Sequence, residues 1–266
     1  MKYKSYRKPY RVKRKKSIFK SRFFWLGILF FILAGVIFYF LFFSSFFQIK
    51  QIIVTGEEKV SKEDIKAVIE SNLEKKFLFF LTKSIFLVDL GQMRRDILNN
   101  FPQIAEVEIY RGFPDTLDIL LVERFGLATW CQQEDHCFSL DIKGIIFEET
   151  ETKENLPKII DGENKTYILG EKVIEKDYLD KILRIQKFFQ EELKIEIEKF
   201  IVFEKRLNLK TKEGWEIYFD PGEDINWQLT KLNAVLKEKI PPERRKDLEY
   251  IELRFGDLAT FRYKEK

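Results

Sequence analysis

An uncharged apolar segment, Phe23 to Phe43, constrains this chain more than any other feature. As an α-helix that rises about 1.5 Å per residue, it reaches roughly 30 Å, the thickness of the hydrocarbon core of a bilayer. Leu, Ile, Phe and Val fill sixteen of its positions. Insertion of such a segment gains about 5 to 10 kcal/mol. Because the residues that follow, "SSFF", form no small-residue cleavage pattern, we predict a permanent transmembrane helix at residues 23–46 rather than a signal peptide.

The charges on either side of this segment predict its orientation in the plasma (inner) membrane. Residues 1–22 contain eleven Lys and Arg residues and no acid, whereas the rest of the chain has 36 basic and 43 acidic residues. Cations on one flank of a membrane helix stay in the cytoplasm, so we expect a cytoplasmic basic tail and an extracytoplasmic bulk. The tail has too few interleaved aromatic residues for a nucleic-acid reader, and no nucleic-acid partner is expected.

A small α+β domain is predicted at residues 47–125. Alternating side chains predict a strand at Phe47–Gly56, and two helices follow, with N-terminal caps at Ser61 and Asp89. Two strand-like runs, Ile104–Arg111 and Leu117–Arg124, flank the turn sequence "GFPDT". The order is therefore β-α-α-β-β, in which both helices can cover one face of a small sheet.

The run "FLFFL", Phe77 to Leu81, is unusually apolar for a connection between two helices. It fits two interpretations: packing against the core of this small domain, or contact with the outer membrane face or a partner helix. The sequence alone leaves its role open.

A mixed β-sheet domain with helices is predicted for residues 126–266. Strand signals alternate with one helix starting at Tyr178 and a second capped by Asp224. The chain closes with "YIELRFGDLATFRY", which predicts two strands about the turn Phe255–Asp257, the last strand being Leu258–Tyr263. The whole chain is thus predicted to be α+β.

Two cysteines, Cys131 and Cys137, end facing strands of a predicted hairpin. In an oxidising compartment a disulfide is the favoured interpretation. Two free buried cysteines remain an alternative, and a metal site that also uses His136 lacks a fourth ligand.

Groups that would carry catalysis are scarce in this sequence. His136 is the single histidine, and neither a GxGxxG nor a GxxxxGK[ST] sequence is present. An enzyme needs a nucleophile with a base, a metal cluster or a phosphate cradle. We therefore expect no catalytic residue, no metal and no cofactor.

The β-α-α-β-β order, with "FPDTL" and "VER" at the hairpin, resembles the POTRA domain of the FtsQ/DivIB family of bacterial cell division proteins. The family pattern continues through Glu123, Arg124, Ala128 and Trp130 of this chain. Gly126 stands where the family has proline, so the chain direction at this junction is expected to be less fixed.

The closing segment "YIELRFGD", Tyr250 to Asp257, is similar to the end of the β-domain in the same family, with Glu252 in place of the usual aspartate. The apolar anchor, the POTRA-like unit and this segment occur in the family's order over nearly the whole chain.

This resemblance implies a non-enzymatic scaffold of the divisome at the division septum. It would hold FtsB/DivIC-like and FtsL-like proteins outside the membrane, contact other divisome proteins, and help to control septal peptidoglycan synthesis. An edge strand offers unpaired backbone groups to a partner chain. The partner-binding residues implied are those of the final turn and strand: Phe255, Gly256, Ala259, Thr260, Phe261 and Arg262.

An alternative from another class is a membrane-anchored POTRA adaptor for protein secretion or envelope assembly. Such an adaptor would bind unfolded or passenger chains, whereas a division scaffold would bind a coiled-coil partner through its last strand.

Overall fold

The computed structural model describes residues 22–73, 75–77, 80–132, 136–151, 156–163 and 165–265. The predicted basic tail lies outside this range except for Arg22. The chain divides into two compact units. The first unit lies within residues 1–53, 70–90 and 110–118, and the second lies within residues 54–69, 91–109 and 119–266.

The described chain contains five α-helices and fourteen strands. The helices are α1 (Arg22–Phe43), α2 (Lys62–Leu73), α3 (Leu90–Asn100), α4 (Lys176–Phe188) and α5 (Ile225–Glu238). The strands are β1 (Gln51–Thr55), β2 (Lys75–Phe77), β3 (Phe80–Thr82), β4 (Ile104–Gly112), β5 (Thr116–Glu123), β6 (Ala128–Cys131), β7 (Cys137–Leu140), β8 (Ile146–Glu149), β9 (Lys158–Asp161), β10 (Ile197–Phe203), β11 (Arg206–Thr211), β12 (Glu216–Phe219), β13 (Leu248–Glu252) and β14 (Thr260–Tyr263).

Helix α1 is the apolar helix expected from the sequence. Its 22 residues make it long and apolar enough to cross a membrane, and none of them is buried in the protein. The helix ends three residues before the predicted limit, because a turn follows in which the backbone N–H of Phe47 donates to the carbonyl oxygen of Ser44 at 3.2 Å.

The predicted β-α-α-β-β order is present in β1, α2, α3, β4 and β5, with the three strands in the sheet order β1-β5-β4. The Ser61 cap is also present, since its hydroxyl accepts from the backbone N–H of Asp64 at 3.4 Å. The structure adds a two-stranded hairpin, β2 with β3, between the helices. There Phe77 pairs with Phe80, and phenylalanine favours strands. The predicted packing or membrane contact of "FLFFL" concerns side chains outside the described residues.

The predicted mixed β-sheet domain is a nine-stranded sheet with the order β14-β13-β12-β11-β10-β9-β6-β7-β8. Strand pairs β6/β9, β9/β10 and β12/β13 are parallel, and the other five pairs are antiparallel. One hydrophobic core joins this sheet to α4 and α5 and contains large buried side chains: Trp130, Phe189, Phe200, Trp215 and Phe219. This α+β architecture confirms the predicted fold class.

Helix α5 forms where the sequence predicted it. The Asp224 carboxylate caps it by accepting from the backbone N–H of Asn226 at 2.9 Å. Its buried stripe includes Leu229, Leu232 and Leu236. Helix α4 differs from a regular helix, since it continues into a π-helical turn, Phe189–Leu193, that no sequence pattern predicted.

Candidate functional site

Strand β14 occupies one end of the nine-stranded sheet and pairs with β13 alone among the described strands. The pairing is antiparallel and sets Thr260 opposite Glu252 and Arg262 opposite Tyr250. In an edge strand, the N–H and C=O groups on the outer side have no partner in their own sheet. The geometry of β14 therefore suits recognition by addition of a further strand.

Side chains of β14 alternate between solvent and core. Thr260 and Arg262 are exposed, whereas Phe261 and Tyr263 are half-buried and pack against the hydrophobic core. The Arg262 guanidinium pairs with the Glu249 carboxylate at 3.1 Å. This alternation fixes which face of the strand is buried, because a slip of one residue would expose both aromatic rings.

The strand begins two residues later than the predicted Leu258, so that Ala259 precedes β14 instead of lying in it. The reason is a turn, in which the backbone N–H of Leu258 donates to the carbonyl oxygen of Phe255 at 3.1 Å. Gly256 supports this turn with φ of +49°, a conformation in the left-handed region. Phe255 and Leu258 present their side chains to solvent.

Lys231 of α5 stabilises this turn by hydrogen bonds to its backbone. Its side-chain amine is buried and donates to the backbone carbonyl oxygens of Leu253, Gly256 and Leu258 at 2.8, 2.6 and 3.3 Å. Burial lowers the pKa of Lys231, and the carboxylates of Asp257 and Glu223 oppose this effect. Hydrogen bonds from an ionised donor are stronger than neutral ones, so Lys231 fixes the backbone that leads into β14.

Trp227, one turn before Lys231 on α5, supplies a second contact to the turn. Its indole N–H donates to the Asp257 carboxylate at 3.1 Å, while about half of the side chain remains exposed. The exposed rings of Trp227 and Phe255 and the side chain of Leu258 thus give the site an apolar border beside the open strand edge.

Glu252, in β13 opposite Thr260, is buried and forms a forked ion pair with Arg254, with distances of 2.7 and 2.6 Å. Burial alone would raise the pKa of Glu252, but the hydrogen bonds from the Arg254 side chain and backbone outweigh it and leave the pKa below its ordinary value. Glu252, which stands where the family usually has the shorter aspartate, therefore stays ionised, and its carboxylate is paired with Arg254 next to the edge strand.

At the opposite edge of the sheet, another segment of the same chain bonds to Ile146, the first residue of β8. The backbone N–H of Gly170 donates to the carbonyl oxygen of Ile146 at 2.7 Å, and the N–H of Ile146 donates to the carbonyl of Glu171 at 3.1 Å. Covering an edge in this way prevents uncontrolled strand pairing. Of the two edge strands in the described sheet, β8 has such bonds at its first residue, whereas the outer side of β14 has none among the described residues.

Cys131 and Cys137 lie directly opposite each other in β6 and β7 and are joined by a disulfide. Both are buried. They lie at the far side of the sheet from β14, so the bond has no direct contact with the candidate edge. Among the described residues, no group of three His, Cys, Asp or Glu side chains is arranged to hold a metal ion.

The junction after β5 is held by Glu123 and Arg124. The Glu123 carboxylate accepts from the backbone N–H groups of Glu58, Lys59 and Val60 at 2.8 to 3.0 Å. Arg124 donates to the carbonyl oxygen of Pro102 at 2.9 Å and forms an ion pair with buried Asp141. These bonds hold the side chains of Glu123 and Arg124 just before Gly126, and the less fixed chain direction expected at Gly126 stays a prediction.

Of the six predicted partner-binding residues, Phe255 and Gly256 lie in the turn, Ala259 precedes β14, and Thr260, Phe261 and Arg262 lie in this edge strand. Their role in partner binding stays a prediction. Sequence reasoning did not find Lys231 or Trp227. A lysine inside an otherwise apolar helical stripe was the signal available for Lys231, because such a side chain must find partners when it is buried.

Comparisons with known proteins agree with this architecture. A family model described as "POTRA domain, FtsQ-type" matches residues 47–124, and one described as "Cell division protein FtsQ/DivIB, C-terminal" matches residues 128–254. Cell division protein FtsQ of Aliivibrio fischeri is 24% identical over 81% of this chain and 76% of its own length. FtsQ of Syntrophotalea carbinolica is 28% identical over 54% of this chain and 48% of its own length. FtsQ of Bradyrhizobium diazoefficiens is 23% identical over 84% of this chain and 58% of its own length.

An N-terminal helix able to span a membrane, a POTRA domain and a large mixed β-sheet define a class of single-pass membrane proteins. The two family matches follow each other along the chain in that architecture. The chain belongs to the FtsQ/DivIB family of cell division proteins.

Proposed function

We propose that this protein is a non-enzymatic scaffold of the divisome that captures an FtsB/DivIC-like protein, together with its FtsL-like partner, by strand addition at β14. The observation that carries this proposal is the contrast between the two edges of the sheet. The segment that contains Gly170 and Glu171 bonds to Ile146, the first residue of β8, whereas β14 has an uncovered edge among the described residues.

The chemistry of the edge suits a partner that presents an extended segment with acidic or polar side chains. Backbone groups of β14 would supply main-chain hydrogen bonds, and the exposed side chains of Thr260 and Arg262 would read the partner's sequence. Phe255 and Leu258 would contribute apolar contact beside the added strand. No covalent step is required of the protein in this role.

The proposed placement follows from the anchor and the tail. Eleven cations within residues 1–22 favour a cytoplasmic N-terminus, so the POTRA domain and the sheet would face the extracytoplasmic side at the division septum. Anchoring confines the protein and its partners to a thin layer above the membrane. A high effective concentration in that layer lets modest pairwise affinities hold an assembly that helps to control septal peptidoglycan synthesis.

A pair of truncations tests this function. A chain that ends at Ala259 lacks β14, whereas a matched chain that ends at Lys264 keeps it together with the hydrogen bond from the Lys264 backbone N–H to the Asp247 carbonyl. Both are produced with the FtsB-like and FtsL-like proteins of the same organism and purified from membranes. Capture by the longer chain and loss of capture by the shorter one supports the proposal. Equal capture by both chains contradicts it.

Localisation gives an independent test. A fluorescent fusion at the N-terminus should form mid-cell rings in dividing cells, and uniform envelope fluorescence would contradict a role in division. Protease added to spheroplasts should digest the C-terminal portion. Its survival, while an external control protein is digested, would contradict the proposed topology.

A further inference from the structure

A continuous series of phenylalanine rings connects the end of α1 to the turn between β4 and β5. We call it the aromatic ladder; it consists of Phe40, Phe42, Phe46, Phe47, Phe86 and Phe113. Phe47 contacts Phe40 and Phe46, with ring centroids 5.6 and 4.9 Å apart. Phe86 contacts Phe42, Phe47 and Phe113, with centroid distances of 6.4, 5.2 and 5.5 Å. All six residues belong to the first compact unit.

Hydrogen bonds fix the segment that carries Phe86 to the last turn of α1. The carbonyl oxygen of Phe42 accepts from the Thr82 hydroxyl at 2.7 Å and from the Gln48 amide at 3.2 Å. The carbonyl oxygen of Leu41 accepts from the Ser84 hydroxyl at 3.1 Å. The last carbonyls of a helix have no partner within the helix, so these side chains replace water at the end of α1. The ladder is therefore held in one position relative to that end.

The length of α1 determines the position of the aromatic ladder relative to the bilayer. The 22 residues of α1 extend about 33 Å, slightly more than a hydrocarbon core of about 30 Å. Its last turn, with Phe42, consequently lies at the boundary between acyl chains and headgroups. The centroid distances from Phe42 to Phe86 and from Phe86 to Phe113 place the Phe113 ring within about 12 Å of Phe42, which is comparable to the depth of the headgroup region.

The outer members of the ladder are exposed in the protein by itself. Phe46, Phe86 and Phe113 have 53%, 39% and 60% of their surface accessible. Polar groups border them: Lys50 forms an ion pair with Asp115 at 2.9 Å, next to the Phe113 turn. An apolar patch with a charged border, continuous with a membrane-spanning helix, has the composition of an interfacial anchor.

We propose that the aromatic ladder inserts Phe46, Phe86 and Phe113 into the headgroup region of the bilayer that α1 spans. The occupant of this surface is lipid, because the ladder is continuous with the lipid-facing helix. The first compact unit is then held against the membrane by its own side chains as well as by the chain connection. This inference rests on the membrane anchor of the proposed function and is independent of strand addition at β14.

The test measures the surroundings of a spin label at position 113. Since the two native cysteines form a disulfide, Phe113→Cys provides a single labelling site in the full chain. The matched control is Phe125→Cys, which replaces an even more exposed phenylalanine outside the ladder. Both proteins are reconstituted without any partner in phosphatidylcholine–phosphatidylglycerol vesicles. Collision of the label with oxygen, which concentrates in lipid, is compared with collision with a water-soluble nickel complex.

We expect the label at 113 to show at least a threefold lower ratio of nickel to oxygen collisions than the label at 125. Equally high ratios at both positions would overturn the proposal, because they would place Phe113 in water. Protection of position 113 from both reagents would also overturn it, since that result indicates a protein neighbour such as a second copy of the chain.

Thermal unfolding of both labelled proteins verifies that the fold is retained. Capture of the FtsB-like partner is not measured here, so failure of this inference and failure of strand addition are distinguishable.

Discussion

The side-chain amine of Lys231 donates a hydrogen bond of 2.6 Å to the backbone carbonyl oxygen of Gly256. The same amine also holds the carbonyl oxygens of Leu253 and Leu258, so one buried cation from α5 determines the path of the turn that enters β14. A strand can add to an edge only if that edge has a defined course. We infer that Lys231 is a positioning residue for the proposed partner site.

Replacing Lys231 by methionine should weaken partner binding about tenfold, which corresponds to about 1.4 kcal/mol. The variant keeps the apolar stem of the side chain and removes the three hydrogen bonds. Lys237→Met, at an exposed position of the same helix, is the control and should bind normally. Hydrogen exchange should show faster exchange in residues 253–263 of Lys231→Met, with β10–β12 unaffected. Unchanged binding by Lys231→Met would contradict the positioning role.

Thr260→Pro should abolish partner capture and leave the rest of the sheet folded. Proline removes a backbone donor and is tolerated in edge strands, and Thr260 is exposed. Thr260→Ala keeps the donor and should bind within about threefold of the natural protein, since it loses only side-chain contact. Co-purification with the FtsB-like protein measures both. If the proline variant captures its partner as well as the alanine variant does, strand addition at this position is wrong.

The stability contributed by Glu252 should depend on pH. Its folded-state pKa lies below the ordinary value of 4.5, so its contribution is fully present above about pH 4.5 and is lost as the pH falls through the folded-state pKa. Glu252→Gln removes this titration. The difference in unfolding free energy between the natural protein and the variant should therefore be largest near neutral pH and shrink in acid. A difference that stays constant from neutral pH to about pH 3 would contradict the charged pairing with Arg254.

Removing the disulfide should destabilise the protein without affecting the partner site. Cys131 and Cys137 are six residues apart, and a closed loop of this size contributes about 2 kcal/mol by restricting the unfolded chain. We expect the Cys131→Ala, Cys137→Ala double variant to lose about this free energy of unfolding in denaturant titrations. Partner capture under native conditions should be retained. If the folded double variant failed to capture the partner, the disulfide between β6 and β7 would have to affect β14, and this would contradict the prediction.

Glu123→Ala should lower the unfolding free energy by about 1 to 3 kcal/mol, because three backbone N–H groups lose their acceptor. Glu123→Gln keeps one acceptor oxygen and should fall between the natural protein and the alanine variant. Glu192, an exposed glutamate in the π-helical turn, provides the control substitution Glu192→Ala, which should change stability by less than about 0.5 kcal/mol. If Glu123→Ala lowered the unfolding free energy no more than Glu192→Ala does, the hydrogen bonds of Glu123 would contribute nothing to stability.

Local patterns predicted much of the fold. The Ser61 and Asp224 caps are observed as predicted, because a cap depends on residues within one helical turn. The hairpin β2–β3 was missed, since a run of phenylalanines shows no alternation that separates a strand from a buried loop. The π-helical turn after α4 likewise has no sequence signature.

The last strand of the candidate site could be predicted from local patterns, but its exact start and its tertiary contacts could not. Its last strand is encoded by the alternation in "ATFRY", but the exact start depends on the turn bond between Leu258 and Phe255. Lys231 contacts residues more than twenty positions away in the chain, and such a tertiary contact cannot be read from local periodicity. Whether β14 lies at an open edge depends on the order of all nine strands, which pairwise patterns do not specify.

Hydrogen exchange of the full-length protein, measured with and without its FtsB-like and FtsL-like partners, tests strand addition most directly. Backbone amides that face outward from β14, within Thr260–Tyr263, should exchange slowly only when the partner is bound, since an added strand supplies their acceptors. The amide of Ile146, which is bonded to the Glu171 carbonyl at the β8 edge, serves as the internal reference and should not change. Protection that appears elsewhere on the protein while Thr260–Tyr263 keeps its rapid exchange would contradict the proposed site.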